Sequence, residues 1–203
     1  MRQDYKIFLD CIKTYSKVID VGCGEGEFLE ILKQQKSCHV FGIEVESEKV
    51  ATALSRGVSV IQGDADKDLG YYPNKETAPS AFDYLILANT LQVMKNPKEI
   101  LEHAKRISKK TLVSTPNFGF VANRFQFLSK GKMPVTKQLS YEWYDTPNIH
   151  FSTITDFIDL LKQVGFTIEK SYYIDGGNDA KEFDSKNPTV ANLFGREGIF
   201  VLS

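Results

Sequence analysis

Cysteine is scarce in this chain, and what there is lies scattered. Cys11, Cys23 and Cys38 make an odd set with no C-x-x-C pair, which argues against a disulfide framework. Histidine is as rare. His39, His103 and His150 stand far apart, so no metal site is expected. Positive charge is not in excess: 25 Lys and Arg meet 26 Asp and Glu, for a formal net charge of −1. A field that would gather nucleic acid or anionic lipid is missing. No apolar run approaches the ~18 residues that span a bilayer. The opening stretch MRQDYKIFLDCIKTYSKVID has no apolar segment of signal-peptide length, so a cytoplasmic protein is expected. Repeats and low-complexity tracts are absent. What is present is a soluble balance, 42% hydrophobic and 25% charged over 203 residues. That is enough for one domain with a full core, 1–203.

Periodicity divides the chain. Tyr5, Phe8, Leu9 and Ile12 recur at helical spacing and predict a leading amphipathic helix. KVIDVG, CHVFGIEV, VSVIQGD, FDYLILAN and KTLVSTPN read as strands. Between them GEFLEILKQQK, SEKVATALSRG and NPKEILEHAKRIS read as helices. Ser47 is expected to cap the second of these and Gly57 to end it, and Pro97 suits a first turn. ADKDLGYYPNKETAPSA is polar and Pro/Gly-punctuated, a loop. Residues 118–150 show no sustained period, which in a compact domain points to function or disorder. TITDFIDLLKQVG restores a helix, with Thr153 as cap, Asp156 at its positive end and Gly165 as stop. FTIEKSYYI and REGIFVLS are closing strands, joined by a polar loop over 176–188. Alternating strands and helices predict βαβ units, hence a mostly parallel sheet between helical layers.

In such a sheet a ligand sits beyond the carboxyl ends of the strands. The first strand there ends in DVGCGEGEF. Gly22, Gly24 and Gly26 let the backbone approach a ligand closely. A dinucleotide fingerprint wants G-x-G-x-x-G, but Glu27 holds that third position. With Asp20 and Glu25 it makes the loop acidic, which suits a cationic or zwitterionic ligand and disfavours a nicotinamide enzyme. Glu44, ending the second strand, can accept from a ribose diol. Asp64, ending the third, can accept from an adenine amino group, and Ala65 can donate from its backbone. Cys23, Val45 and Asn89 flank these positions and complete the candidate set. Each member alone has a plainer role: a tight turn, a solvated strand end, a cap before Asp66 and Lys67. The ordered set suits a ligand with an amino-acid part, a ribose and an adenine, and no phosphate. That ligand is S-adenosylmethionine (SAM), or its product S-adenosylhomocysteine.

VIDVGCGEGEFLEIL, GIEVE, IQGDAD, FDYLILANTLQ and STPN resemble the motif series of class I SAM-dependent methyltransferases. With RGVSVIQGD, GKMPVTKQLSYEWYDTPNIH and NLFGREGIFVL, nearly the whole chain resembles the MetW family of methionine biosynthesis. The resemblance implies a three-layer Rossmann-like α/β fold, with a mostly parallel seven-stranded sheet and an antiparallel last strand. It implies a SAM-binding accessory partner of homoserine O-acyltransferase. The alternative is an active methyltransferase on a small-molecule acceptor.

Methyl transfer from a sulfonium needs orientation first, and a base only if the nucleophile arrives protonated. Many class I methyltransferases have histidine where Gln92 falls, and glutamine accepts no proton. Asn117 offers a neutral amide. Asp145 and His150 are the proton acceptors of the aromatic block, though the one suits a turn and the other can brace the next helix. Cys23 reads as a small packing residue. The 118–150 segment is expected to be a lid or a partner-docking insertion. It carries Tyr141, Trp143, Tyr144 and the cations Arg124, Lys130, Lys132 and Lys137, which suit a carboxylate, an acidic partner or solvent. Phe118, Phe120, Phe125, Phe127 and Leu128 are expected either to pack on the sheet edge or to form a docking patch.

Overall fold

The strand β1 (Lys17–Val21) is buried at four of its five positions. Its alternate side chains enter opposite layers. Val18 packs with Phe8, Leu29 and Leu32 on one face of the sheet, while Ile19 and Val21 pack with Leu101 and Leu161 on the other. A strand apolar on both sides is stable only inside a three-layer sandwich, and β1 lies mid-sheet. The computed structural model describes residues 1–74, 76, 82–136 and 139–203.

The chain begins with α1 (Gln3–Cys11), then β1, α2 (Glu27–Lys36), β2 (His39–Glu44), α3 (Ser47–Ser55), β3 (Ser59–Gln62) and α4 (Ala65–Asp68). Next come β4 (Phe82–Ala88), α5 (Pro97–Ile107), β5 (Ser108–Pro116), α6 (Val121–Lys130) and α7 (Ile154–Val164). The chain closes with β6 (Ile168–Asp175), β7 (Ala180–Glu182), α8 (Thr189–Phe194) and β8 (Gly195–Leu202). The sheet order is β3-β2-β1-β4-β5-β8-β6-β7. Strands β1 to β5 pair in parallel, and β8 enters antiparallel between β5 and β6. The order reverses between β1 and β4, so the carboxyl ends of both open on one crevice. Among the described residues no helix is long and apolar enough to cross a membrane.

Four local expectations change. The sheet has eight strands among the described residues, not seven. The extra one, β7, lies inside the polar 176–188 stretch and pairs antiparallel with β6. All three of its residues are exposed, so backbone pairing alone creates it and no apolar alternation announces it. Second, residues 121–130 of the aperiodic segment are helical, because the inward face of α6 holds the polar Asn123 and the apolar stripe faces out. Third, a short helix, α4, interrupts the loop after β3; residues 75 and 77–81 of that loop lie outside the described residues. Fourth, Ser47 does not cap α3. It is the first helical residue, Glu46 holds the cap position, and no side chain bonds there. Other boundaries stand as expected. Pro97 opens α5. Thr153 and Asp156 form a reciprocal capping box on α7, which Gly165 ends at φ +80°.

Candidate functional site

A cleft of about 700 Å³ opens where β1, β2, β3 and β4 end. Its walls bring together Gly22, Gly24, Glu44, Val45, Asp64, Ala65 and Asn89. Asp20, Cys23 and Gly26 lie behind those walls rather than on them. The two inner glycines of the loop differ in purpose. A side chain at Gly24 (φ +55°) would meet nothing within 4 Å, so the open space beside it belongs to the cleft. One at Gly26 would press on Ala53 and Val58 at 2.9 Å, so that position lets α2 pack against α3. Glu25 and Glu27 are exposed and form no part of the cleft wall.

Glu44 is buried, and three backbone N–H groups hold its carboxylate. Gly24 donates to Oε2 at 2.8 Å, and Val45 and Glu46 donate to Oε1 at 2.8 and 3.0 Å. The strand tip thus clamps the glycine loop and still keeps acceptor capacity, since a carboxylate has about four acceptor sites. Asp64 caps α4 by accepting from Asp66 N at 3.1 Å. Its other oxygen pairs with Lys67 at 2.7 Å, and that bond holds its pKa below the usual carboxylate value. Asp64 therefore does what the plainer reading described, while also facing the cleft. Cys23 is buried beneath Gly42, where an added side chain would lie 2.5 Å from its sulfur. Burial, then Asp20 and Glu44, push its thiol pKa up, as suits a packing residue.

Behind the cleft lies a polar row that spacing did not reveal. Asp20, Ser114 and Glu197 project from β1, β5 and β8, and the start of the chain adds Arg2, just before α1, and Asp4 in its first turn. Asp4 accepts from Ser114 Oγ at 2.8 Å and pairs with Arg2. Asn89, at φ +56°, donates from Nδ2 to Glu197 at 2.9 Å. Asp20 is 2% exposed, and its Oδ1 has no hydrogen-bond partner among the described residues. Burial raises its pKa to about 7, with Asp4 and Glu44 adding to the rise and Arg2 opposing it. Burial likewise raises Glu197 to about 7, helped by Asp4. Two sequence signals were available. Asp4 lies one helical turn before Phe8, on the buried face of α1. Glu197 shares its strand face with Ile199 and Val201.

None of the catalytic candidates lines the cleft. Asn117 spends its amide inside the fold: Oδ1 accepts from Gly119 N and Ile154 N, and Nδ2 donates to Asn192 O and Gly195 O. Gln92 anchors the aromatic block, its backbone carbonyl accepting from Ile149 N at 2.9 Å and His150 N at 3.1 Å. Its side chain donates to Asn89 O at 2.6 Å. His150 lies with Gln92 along a separate cavity of about 390 Å³, its Nε2 3.3 Å from Lys95 O. Asp145 is exposed. From the aromatic block only Tyr141 and Pro147 reach the cleft wall. Trp143 and Tyr144 are 72% and 71% exposed and meet edge-on. Lys137 lies outside the described residues.

The family model for methionine biosynthesis protein MetW matches residues 2–202. The chain belongs to the MetW family. Among curated relatives, the bifunctional methionine biosynthesis protein MetXA/MetW of Rhodopirellula baltica is 30% identical over 181 residues. That match covers 85% of this chain and 28% of the relative, so the MetW chain spans little more than a quarter of that longer protein's length. Among solved structures, a SAM-dependent methyltransferase of Thermotoga maritima, described as a possible histamine N-methyltransferase, aligns with a TM-score of 0.68. It is 19% identical, over 98% of this chain and 86% of that one. The [4+2]-cyclase SpnF aligns at 0.67 with 15% identity, over 98% and 79%. The MetW chain therefore has the class I methyltransferase fold. A cyclase on the same fold shows that the fold alone does not name a reaction.

Proposed function

We propose that the cleft binds SAM or S-adenosylhomocysteine, and that the chain serves methionine biosynthesis as an accessory partner of homoserine O-acyltransferase. The observation that carries the ligand is the ordered set of strand tips. Gly24 leaves open space, Glu44 keeps acceptor capacity beside it, and Asp64 and Ala65 follow just past the next strand, where α4 begins. These groups suit, in order, the amino-acid part, the ribose diol and the adenine. The wall carries Glu44, Glu46, Asp64 and Asp66 against Lys49 and Lys95, an acidic excess that suits a ligand with a sulfonium and an ammonium.

Support for the accessory role comes from two sides. His150, the candidate base, faces another cavity, and the relative named MetXA/MetW carries a MetW part within a longer chain. Fusion of two functions in one chain is a reason to test contact between them as separate chains. Calorimetry with SAM tests the ligand, and no heat of binding at millimolar SAM would sink it. Assaying the acyltransferase from the same organism with and without this protein tests the role. An unchanged rate together with no complex would sink that part.

Methyl transfer is the second reading. Its support is that Tyr141 and Pro147 extend the cleft wall beyond the strand tips, where an acceptor could lie. Labelled SAM mixed with a metabolite extract tests it, and binding without labelled product would count against it.

A further inference from the structure

Helix α6 is amphipathic in the wrong direction for a helix that packs on its own domain. Val121, Phe125 and Leu128 follow i, i+4, i+7 spacing and so share one face. All three are exposed, Phe125 at 70% and Leu128 at 85%. The one buried residue of α6 is the polar Asn123, two positions after Val121 and so on the opposite face. Asn123 ties the helix to the segment that leads into it by donating to Phe118 O at 3.1 Å. The apolar stripe thus points straight away from the protein. Water is an unfavourable neighbour for two bare aliphatic or aromatic side chains on one stripe. At the N-terminal end of the stripe, Val121 also borders a groove of about 430 Å³ with Phe120, Tyr173 and Phe194. The aromatic side of the groove continues the stripe, and the paired Asp175 and Lys181, 2.7 Å apart, close its far side.

Along α6 itself the rim has one sign of charge. From His103 to Tyr141 the sequence contains no acidic residue. Arg124, Lys130 and Lys132 are exposed along α6 and just after it. A chain with a net charge of −1 therefore presents a local cationic border around an apolar stripe.

We propose that the outward face of α6, with the groove beside Val121, is the docking surface for homoserine O-acyltransferase, which meets it with an apolar patch rimmed by carboxylates. This rests on the accessory-partner reading above. The commitment to that occupant comes from the MetXA/MetW relative and from the charge of the rim. A membrane surface fits less well, because a ten-residue helix with a three-residue stripe is short for interfacial binding and the stripe continues into a concave groove.

The test is binding of the wild-type chain and two double variants to the purified acyltransferase, by calorimetry and by size-exclusion with light scattering. The variants are Phe125→Asp with Leu128→Asp, and Lys130→Glu with Lys132→Glu. Wild type is expected to form the complex. The apolar variant is expected to bind at least tenfold more weakly, and the charge variant several-fold more weakly, with a loss that shrinks in high salt. Thermal melting and SAM affinity of both variants should match wild type, since neither pair touches the cleft. A wild-type complex with both variants binding at full affinity would overturn the surface and leave the accessory role standing. Failure of the wild type to bind at all would overturn both. Self-association, or capture by anionic vesicles, that the apolar variant abolishes while acyltransferase binding persists would reassign the surface and overturn this proposal.

Discussion

At the residue scale the decisive group is Glu44. A single buried carboxylate accepts from three backbone N–H groups, so it orders the glycine loop before any ligand arrives. Glu44→Ala leaves those donors without their acceptor at the edge of an open cleft, and a buried donor left unpaired costs about 1–3 kcal/mol. The variant is expected to lose about 2 kcal/mol of stability in a urea titration and at least tenfold in SAM affinity. Asp20 makes a second prediction. Its folded pKa, raised to about 7, exceeds the unfolded carboxylate value of about 3.9. Between those values the folded chain binds the proton more tightly, so this term favours folding at low pH. It is lost as pH rises through about 7. Asp20→Asn should therefore melt a few degrees above wild type at pH 8, with the gap narrowing below about pH 7 and closing toward about pH 4. A gap that widens toward low pH would contradict the placement of a bare carboxylate there. Glu44 was legible from its place at a strand end. The demand on Asp20 was not, because it comes from burial and from charges on distant segments, Asp4 and Glu44, that meet it only in three dimensions.

At the element scale, legibility followed how a segment is stabilised. The buried strands and α5 and α7 satisfy themselves with apolar stripes and local caps, and local order shows them. Thr153→Ala should cost about 1 kcal/mol through the lost cap of α7, read as a lower melting temperature with SAM affinity unchanged. Helix α6 and strand β7 escaped notice for a shared reason. Neither presents an apolar face to the core, since α6 turns Asn123 inward and β7 is exposed throughout. The aromatic block divides by position. Tyr141 is on the cleft wall while Trp143 and Tyr144 are not. Tyr141→Ala should weaken SAM binding several-fold. Trp143→Ala with Tyr144→Ala should leave it within twofold, measured by the same calorimetry.

At the scale of the whole molecule, ligand binding and folding are one equilibrium. If SAM binds only the folded chain, a hundredfold excess over Kd adds about 2.7 kcal/mol of stability. A rise of several degrees in melting temperature should follow, and it should depend on SAM concentration. NADH should give no such rise. An equal rise with NADH would revive the dinucleotide reading that Glu27 disfavoured, because Glu27 itself turns out to stand outside the cleft wall.

The chain order alone determined the alternation of strands and helices, the parallel core and the tips that carry Gly24, Glu44 and Asp64. These rest on short-range facts: apolar runs, glycine spacing and the position of an acid at a strand end. Tertiary structure decided what lies between distant segments. Asp4 meets Ser114 across 110 positions, and Asn89 meets Glu197 across 108. It also decided that His150 faces a second cavity and that the Phe125 stripe faces outward. No local pattern encodes these, because each depends on which elements the sheet order places side by side and which face each one turns to its neighbour.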